Sequence, residues 1–185
     1  MPTTPMHRRH CLQLLGSAAA MGLCRVVQAA TAFDPKAVGQ LAPWPVSKPT
    51  PVLQGKDLAG QPHTLASYLG QPLIVNFWAT WCAPCVQELP LFNLLLKQYR
   101  PQGLRVLAVN HGEMPARVSK FLQTVPFAGN VLLDRSQSQL PQWGGLALPS
   151  SFVLDAQGRI HWWHVGEIDW TSAEVHAKLR AAWGL

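Results

Sequence analysis

Two cysteines three positions apart, where an apolar run gives way to an amphipathic one, constrain this chain more than any other feature. Leu73-Ile74-Val75-Asn76-Phe77-Trp78 has the length and the β-branched, aromatic content of a buried strand. Val86 to Tyr99 reads as a helix, with Val86, Leu89, Phe92, Leu96 and Tyr99 as its apolar stripe. Trp81-Cys82-Ala83-Pro84-Cys85 stands between them. A strand that hands a Cys-x-x-Cys pair to the first turn of a helix brings two thiols close enough to bond to each other. The pattern alone permits two chemistries: a dithiol that cycles to a disulfide, or half of a zinc site.

The N-terminus narrows the choice. Arg8 and Arg9 precede an apolar stretch from Leu12 to Cys24, and Val27-Gln28-Ala29 and Ala30-Thr31-Ala32 both have the small-residue form of a cleavage site. That layout predicts a signal peptide over residues 1–29, and hence a periplasmic protein. His7-Arg8-Arg9-His10-Cys11-Leu12-Gln13 also resembles a twin-arginine export signal, with Cys11 where that signal usually has Phe. The alternative is an uncleaved membrane anchor, but the stretch is about 13 residues where a spanning helix needs roughly 20. A lipoprotein site at Leu23-Cys24 is disfavoured by the bulk of Leu23. Of the four cysteines, 11, 24, 82 and 85, cleavage removes the first two. Cys82 and Cys85 then have only each other, which excludes a disulfide framework and an all-cysteine zinc site within one chain. In an oxidising compartment, such a pair is predicted to be a redox-active disulfide.

About 156 residues remain, enough for one domain with a substantial core. Without Arg8, Arg9 and Arg25, twelve Lys and Arg face nine Asp and Glu, a net charge of +3 against +6 for the whole chain. No Lys/Arg cluster of nucleic-acid-binding type stands out. Pro35, Pro43, Pro45, Pro49 and Pro51 make residues 30–51 a stiff, extended lead-in, with the domain proper at 52–185. The elements expected there are a hairpin over 52–67 turning near Ala59-Gly60, a strand at 73–78, a helix at 83–99 and a strand at 104–109. A helix at 115–124, a short strand at 131–133 and a helical turn at 136–142 follow. A hairpin of 151–154 with 159–165 leads to a last helix, capped by Thr171 with Glu174 three residues on. Strands alternating with helices, then an antiparallel hairpin, imply an α/β fold: a central mixed sheet with helices on both faces. Pro90 should kink the first helix.

Taken in order, Asn76-Phe77-Trp78-Ala79-Thr80-Trp81-Cys82-Ala83-Pro84-Cys85, Glu88-Leu89-Pro90, Leu107-Ala108-Val109-Asn110, Leu148 to Asp155, Gly158-Arg159-Ile160 and Gly166-Glu167 resemble the thioredoxin superfamily. More closely they resemble its exported TlpA/ResA/DsbE branch, over residues 50–183. The resemblance implies a thioredoxin-like fold with an extra β-α insert around 131–142, and a thiol–disulfide oxidoreductase working as a reductant. It also implies exported client proteins with disulfides, such as apocytochrome c, and a membrane electron donor of the thiol-transfer type. Neither a cofactor, a metal nor a nucleic acid is expected, and the protein is expected to be a monomer.

The site residues carry distinct expectations. Cys82, at the helix N-terminus, should be held as a thiolate by unpaired N–H groups and the helix dipole, and so be the nucleophile. Cys85, one turn in and more buried, should be the resolving thiol. Glu88 lies three residues further along the same helical face; partial desolvation should raise its pKa and make it the base for Cys85. Plain thioredoxins place a buried Asp where Asn76 stands, so the resemblance implies that this role has passed to Glu88. Pro149 resembles the superfamily's cis-proline beside the disulfide, and the backbone of Leu148 could pair with an extended substrate segment. Leu148 departs from the Thr or Val frequent at that position. Trp81 should flank the disulfide and meet partners. His111-Gly112-Glu113-Met114, after the second core strand, is either a groove-shaping loop, plain surface or, least favoured, a metal site. Two rival functions stand beside reduction: a net oxidant or isomerase, and a carrier holding Cu(I) between the two thiolates.

Overall fold

The computed structural model describes residues 39–185, so the expected signal peptide at 1–29 lies outside the described residues. Eight strands form one mixed sheet. In chain order they are β1 (Ala42–Pro43), β2 (Gln54–Asp57), β3 (Pro62–Thr64), β4 (Leu73–Trp78), β5 (Arg105–His111), β6 (Asn130–Asp134), β7 (Ser150–Leu154) and β8 (Ile160–Val165). The helices are α1 (Ala83–Tyr99), α2 (Pro115–Thr124), α3 (Gln139–Gln142) and α4 (Ala173–Trp183). The order across the sheet is β1-β8-β7-β4-β5-β6-β2-β3. The expected N-terminal hairpin is β2–β3, its turn made by Gly60 in the left-handed region (φ 82°).

The three central strands β4, β5 and β6 are parallel neighbours. Their connections through α1 and α2 step across the sheet in the same direction, so right-handed crossovers put both helices on one face. Period-two alternation does the rest. Ile74, Trp78, Val106, Ala108 and Val153 point to that face and pack with α1, α2 and α4. Val75, Phe77, Leu107, Val109 and Phe152 point to the other. Helix covers both faces unequally. The second face is closed by the short α3, Trp143, a 3₁₀ turn at Leu65–Tyr68 and Trp44 of the lead-in.

Several local expectations shift. The Pro-rich lead-in joins the sheet: Ala42 and Pro43 pair with Trp163 and Trp162, and Leu41 and Trp44 are buried, so packing extends N-terminal to residue 52. α1 runs through Pro90 as one helix of 17 residues. The α4 cap is Ser172 rather than Thr171. Asp169 captures the Thr171 N–H and hydroxyl at 2.8 and 2.6 Å, leaving Ser172 Oγ to accept from Val175 N–H at 3.2 Å. The insert at 131–142 forms as β6 and α3. No helix among the described residues is long and apolar enough to cross a membrane.

Candidate active site

Register brings four loops to one end of the sheet. β4 and β5 both run toward it, while Phe77 pairs with Ser150 and Ser150 with Val165. The loop after β4 (79–82), the loop after β5 (112–114), the Leu148-Pro149 step before β7 and the segment after β8 (166–172) therefore meet there.

Cys82 is the N-cap of α1 and is bonded to Cys85, with Cα atoms 5.3 Å apart. The Cys85 N–H points at Cys82 Sγ at 3.4 Å. That N–H is one of the orphan donors of a helix start, so a thiolate released on Cys82 would find a positive helix end already aimed at it. Pro84 occupies the first turn, where its missing N–H removes no helical bond. Cys82 keeps 5% of its surface and Cys85 none, so attack from outside can reach only the first sulfur. Trp81, beside it, is 63% exposed. The Leu148–Pro149 peptide is cis, and its place one step before Ser150 sets it opposite the end of β4. Leu148 is partly buried against both core clusters.

Glu88 is fully buried on the inner face of α1. Oε1 accepts from the Ile168 N–H at 3.2 Å and the Trp170 indole at 3.0 Å; Oε2 accepts from Asn76 Nδ2 at 3.2 Å. Burial pushes its pKa up to about 8, against the pull of these three donors; the charge of Glu167 adds a smaller upward push. Asn76 also donates to Ser151 Oγ at 2.9 Å. Asn76 thus links the Glu88 carboxylate on α1 to Ser151 on β7.

Glu113 has a part that sequence reasoning did not assign. Its Oε2 accepts from the Thr80 N–H and from Asn110 Nδ2, both at 2.7 Å. Its Oε1 accepts from the Thr80 hydroxyl at 2.6 Å and Arg117 Nε at 2.7 Å. Burial raises its pKa, but the bonds from Thr80, Asn110 and Arg117 outweigh burial and hold it below the usual range. Glu113 fixes the backbone directly ahead of Trp81-Cys82. The available signals were its place after β5 and its i,i+4 relation to Arg117; neither reveals Thr80 as the partner. His161 and His164 do not converge: the first meets Asp155, the second the carbonyls of Gln40 and Glu167. Among the described residues, no group of three or more His, Cys, Asp or Glu side chains is arranged to hold a metal ion.

A mixed sheet that delivers a Cys-x-x-Cys disulfide to a helix N-terminus defines a thioredoxin-like protein with a dithiol–disulfide centre. The model of the AhpC/TSA family matches residues 46–163, and the chain belongs to that family. The thiol-disulfide oxidoreductase ResA of Geobacillus thermodenitrificans is 38% identical over 104 residues, 56% of this chain and 60% of that protein. ResA of Bacillus thuringiensis strain Al Hakam is 30% identical over 122 residues, 66% of this chain and 70% of that protein. A crystal structure from Chlorobium tepidum, of a candidate thiol:disulfide interchange protein DsbE, matches with a TM-score of 0.68. It is 28% identical, covering 73% of this chain and 95% of its own.

Proposed function

We propose that this protein is a thiol–disulfide oxidoreductase that reduces disulfides of exported client proteins. The observation that carries the reading is the Cys82–Cys85 disulfide capping α1 three residues before the buried Glu88, whose pKa is raised to about 8. In the reduced protein, the Cys82 thiolate attacks a client disulfide. A Cys82–client bond forms and the first client sulfur leaves as a thiolate. Cys85 gives its proton to Glu88 and attacks Cys82 Sγ. The Cys82–Cys85 bond forms, the second client thiolate leaves, and two electrons have passed to the client. In this reading Trp81 and the cis Leu148–Pro149 step hold an extended client segment.

The direction of electron flow and the compartment are part of the proposal. The export-type N-terminus and the relation to ResA support a periplasmic reductant, recharged by a membrane thiol donor and acting on clients such as apocytochrome c. In cells, the Cys85→Ser variant should accumulate mixed disulfides through Cys82, and Cys82→Ser should accumulate none. Catching no client through Cys82 overturns the nucleophile assignment. Equilibration with a glutathione buffer tests direction: a potential well above that of reducing thioredoxins would overturn the reductant reading.

A further inference from the structure

Glu88 receives three hydrogen bonds, and every partner is a donor: Asn76 Nδ2, the Ile168 N–H and the Trp170 indole. That shell suits a carboxylate. A protonated Glu88 has an O–H to place as well, and a buried donor without an acceptor is costly. A backbone N–H and an indole N–H can only donate. Asn76 differs, because its amide has a donor end and an acceptor end of nearly the same shape. Its acceptor, Oδ1, is buried and has no partner among the described residues. Its donor, Nδ2, reaches both Glu88 Oε2 and the hydroxyl of Ser151, a group that can donate or accept.

We propose that Asn76 is a positioning residue that serves both protonation states of Glu88 by turning its amide over. With Glu88 ionised, Nδ2 donates to Oε2 and to Ser151 Oγ, as in this structure. With the proton on Oε2, the amide rotates and Oδ1 takes the place of Nδ2. Oδ1 then accepts the Oε2 proton and, after the Ser151 hydroxyl swings round, that proton too. Each orientation leaves one end of the amide without a partner: Oδ1 in the first, the NH₂ in the second. A proton arriving from Cys85 finds a prepared acceptor. An ionised Asp at residue 76 could accept but not donate, and a Leu could do neither.

Position supports this reading. Asn76 pairs with Ser151 and Ser151 with His164, so the three form a polar row across β4, β7 and β8 on the face that packs against α1. The charged and titratable groups near Glu88 are few. Cys85 shares α1, and Glu167 follows β8. His164, whose burial holds its pKa below the usual value, ends the row and is engaged with the Gln40 and Glu167 carbonyls.

The inference rests on Glu88 being the base for Cys85, and one titration separates the two claims. In the oxidised protein neither Cys82 nor Cys85 titrates, so ¹⁵N NMR can follow the Trp170 indole N–H and the Asn76 side-chain NH₂ from about pH 6 to about pH 10. Both signals should move with one midpoint near about 8, and Glu88→Gln should abolish the pH dependence of both. An indole that titrates beside an Asn76 amide that does not move overturns the rotation. So does an Asn76 titration that persists in Glu88→Gln. An indole that stays still removes both the rotation and Glu88 as base. If indole and amide move together while disulfide exchange ignores Glu88→Gln, the rotation stands and the base assignment falls.

Discussion

Glu88 and Glu113 are both buried glutamates at the same end of the sheet, yet their pKa values move in opposite directions. Burial pushes each of them up. Glu88 has three neutral donors, no cation and the like charge of Glu167 nearby, so burial prevails. Glu113 has two bonds from Thr80, one from Asn110 and the Arg117 guanidinium. The Arg117 side chain is 62% exposed, so its charge stays in contact with water. A buried carboxylate met only by neutral dipoles becomes a group that trades a proton. One met by more donors and a hydrated cation becomes a fixed anion that holds a loop.

The contrast predicts its largest effect at Glu88. Gln keeps the volume but cannot take a proton, so resolution of a mixed disulfide should slow about a hundredfold in Glu88→Gln. Stopped-flow kinetics should also lose the pH step near about 8, and an unchanged rate across pH removes Glu88 from the mechanism. Stability should report the same asymmetry. Glu88 holds its proton more tightly folded than unfolded, with a pKa of about 8 against an ordinary 4.5. Its contribution is fully present below the ordinary value and is lost as pH rises toward about 8. Denaturant unfolding of the wild type should weaken across that window by at most about 5 kcal/mol, and Glu88→Gln should stay level.

Glu113→Ala comes next. It strips an acceptor from the Thr80 N–H and from Asn110, and should destabilise by about 2–3 kcal/mol in urea unfolding. The exchange rate should fall while the pH step near about 8 stays in place; a displaced step would mean that the two carboxylates are not independent. The sign of the pH effect is reversed at this site. A depressed pKa contributes stability above the ordinary value and loses it as pH falls, so acid unfolding of Glu113→Gln should lack that acid limb. The smallest effect belongs to Arg117→Ala. Its exposed ion pair should cost under about 1 kcal/mol, and less as salt is added, measured by the same unfolding curves.

The sheet and its helices were largely legible because they follow from periodicity. The run 73–78 alternates between two apolar faces, and the crossover rule then places α1 and α2. The pair Cys82 and Cys85, and the position of Glu88 on their helical face, follow from spacing alone. The lead-in was harder to read: five prolines announce an extended chain, but only the exposed edge of β8 makes Ala42–Pro43 a strand. The α4 cap moved by one residue because Asp169 competes for Thr171 through a local turn. Glu113 and Thr80 are 33 residues apart, and no local pattern links them.

The amino-acid sequence by itself determined that two thiols sit at a strand-to-helix junction with a carboxylate one turn beyond. Spacing along a strand and a helix depends only on backbone geometry. Only the tertiary structure decided which way each carboxylate's pKa moves. A pKa depends on what surrounds the group in three dimensions, and the partners come from distant segments: Ile168 and Trp170 for Glu88, Thr80 for Glu113. The same residue type, at the same end of one sheet, has its pKa raised in one place and lowered in the other.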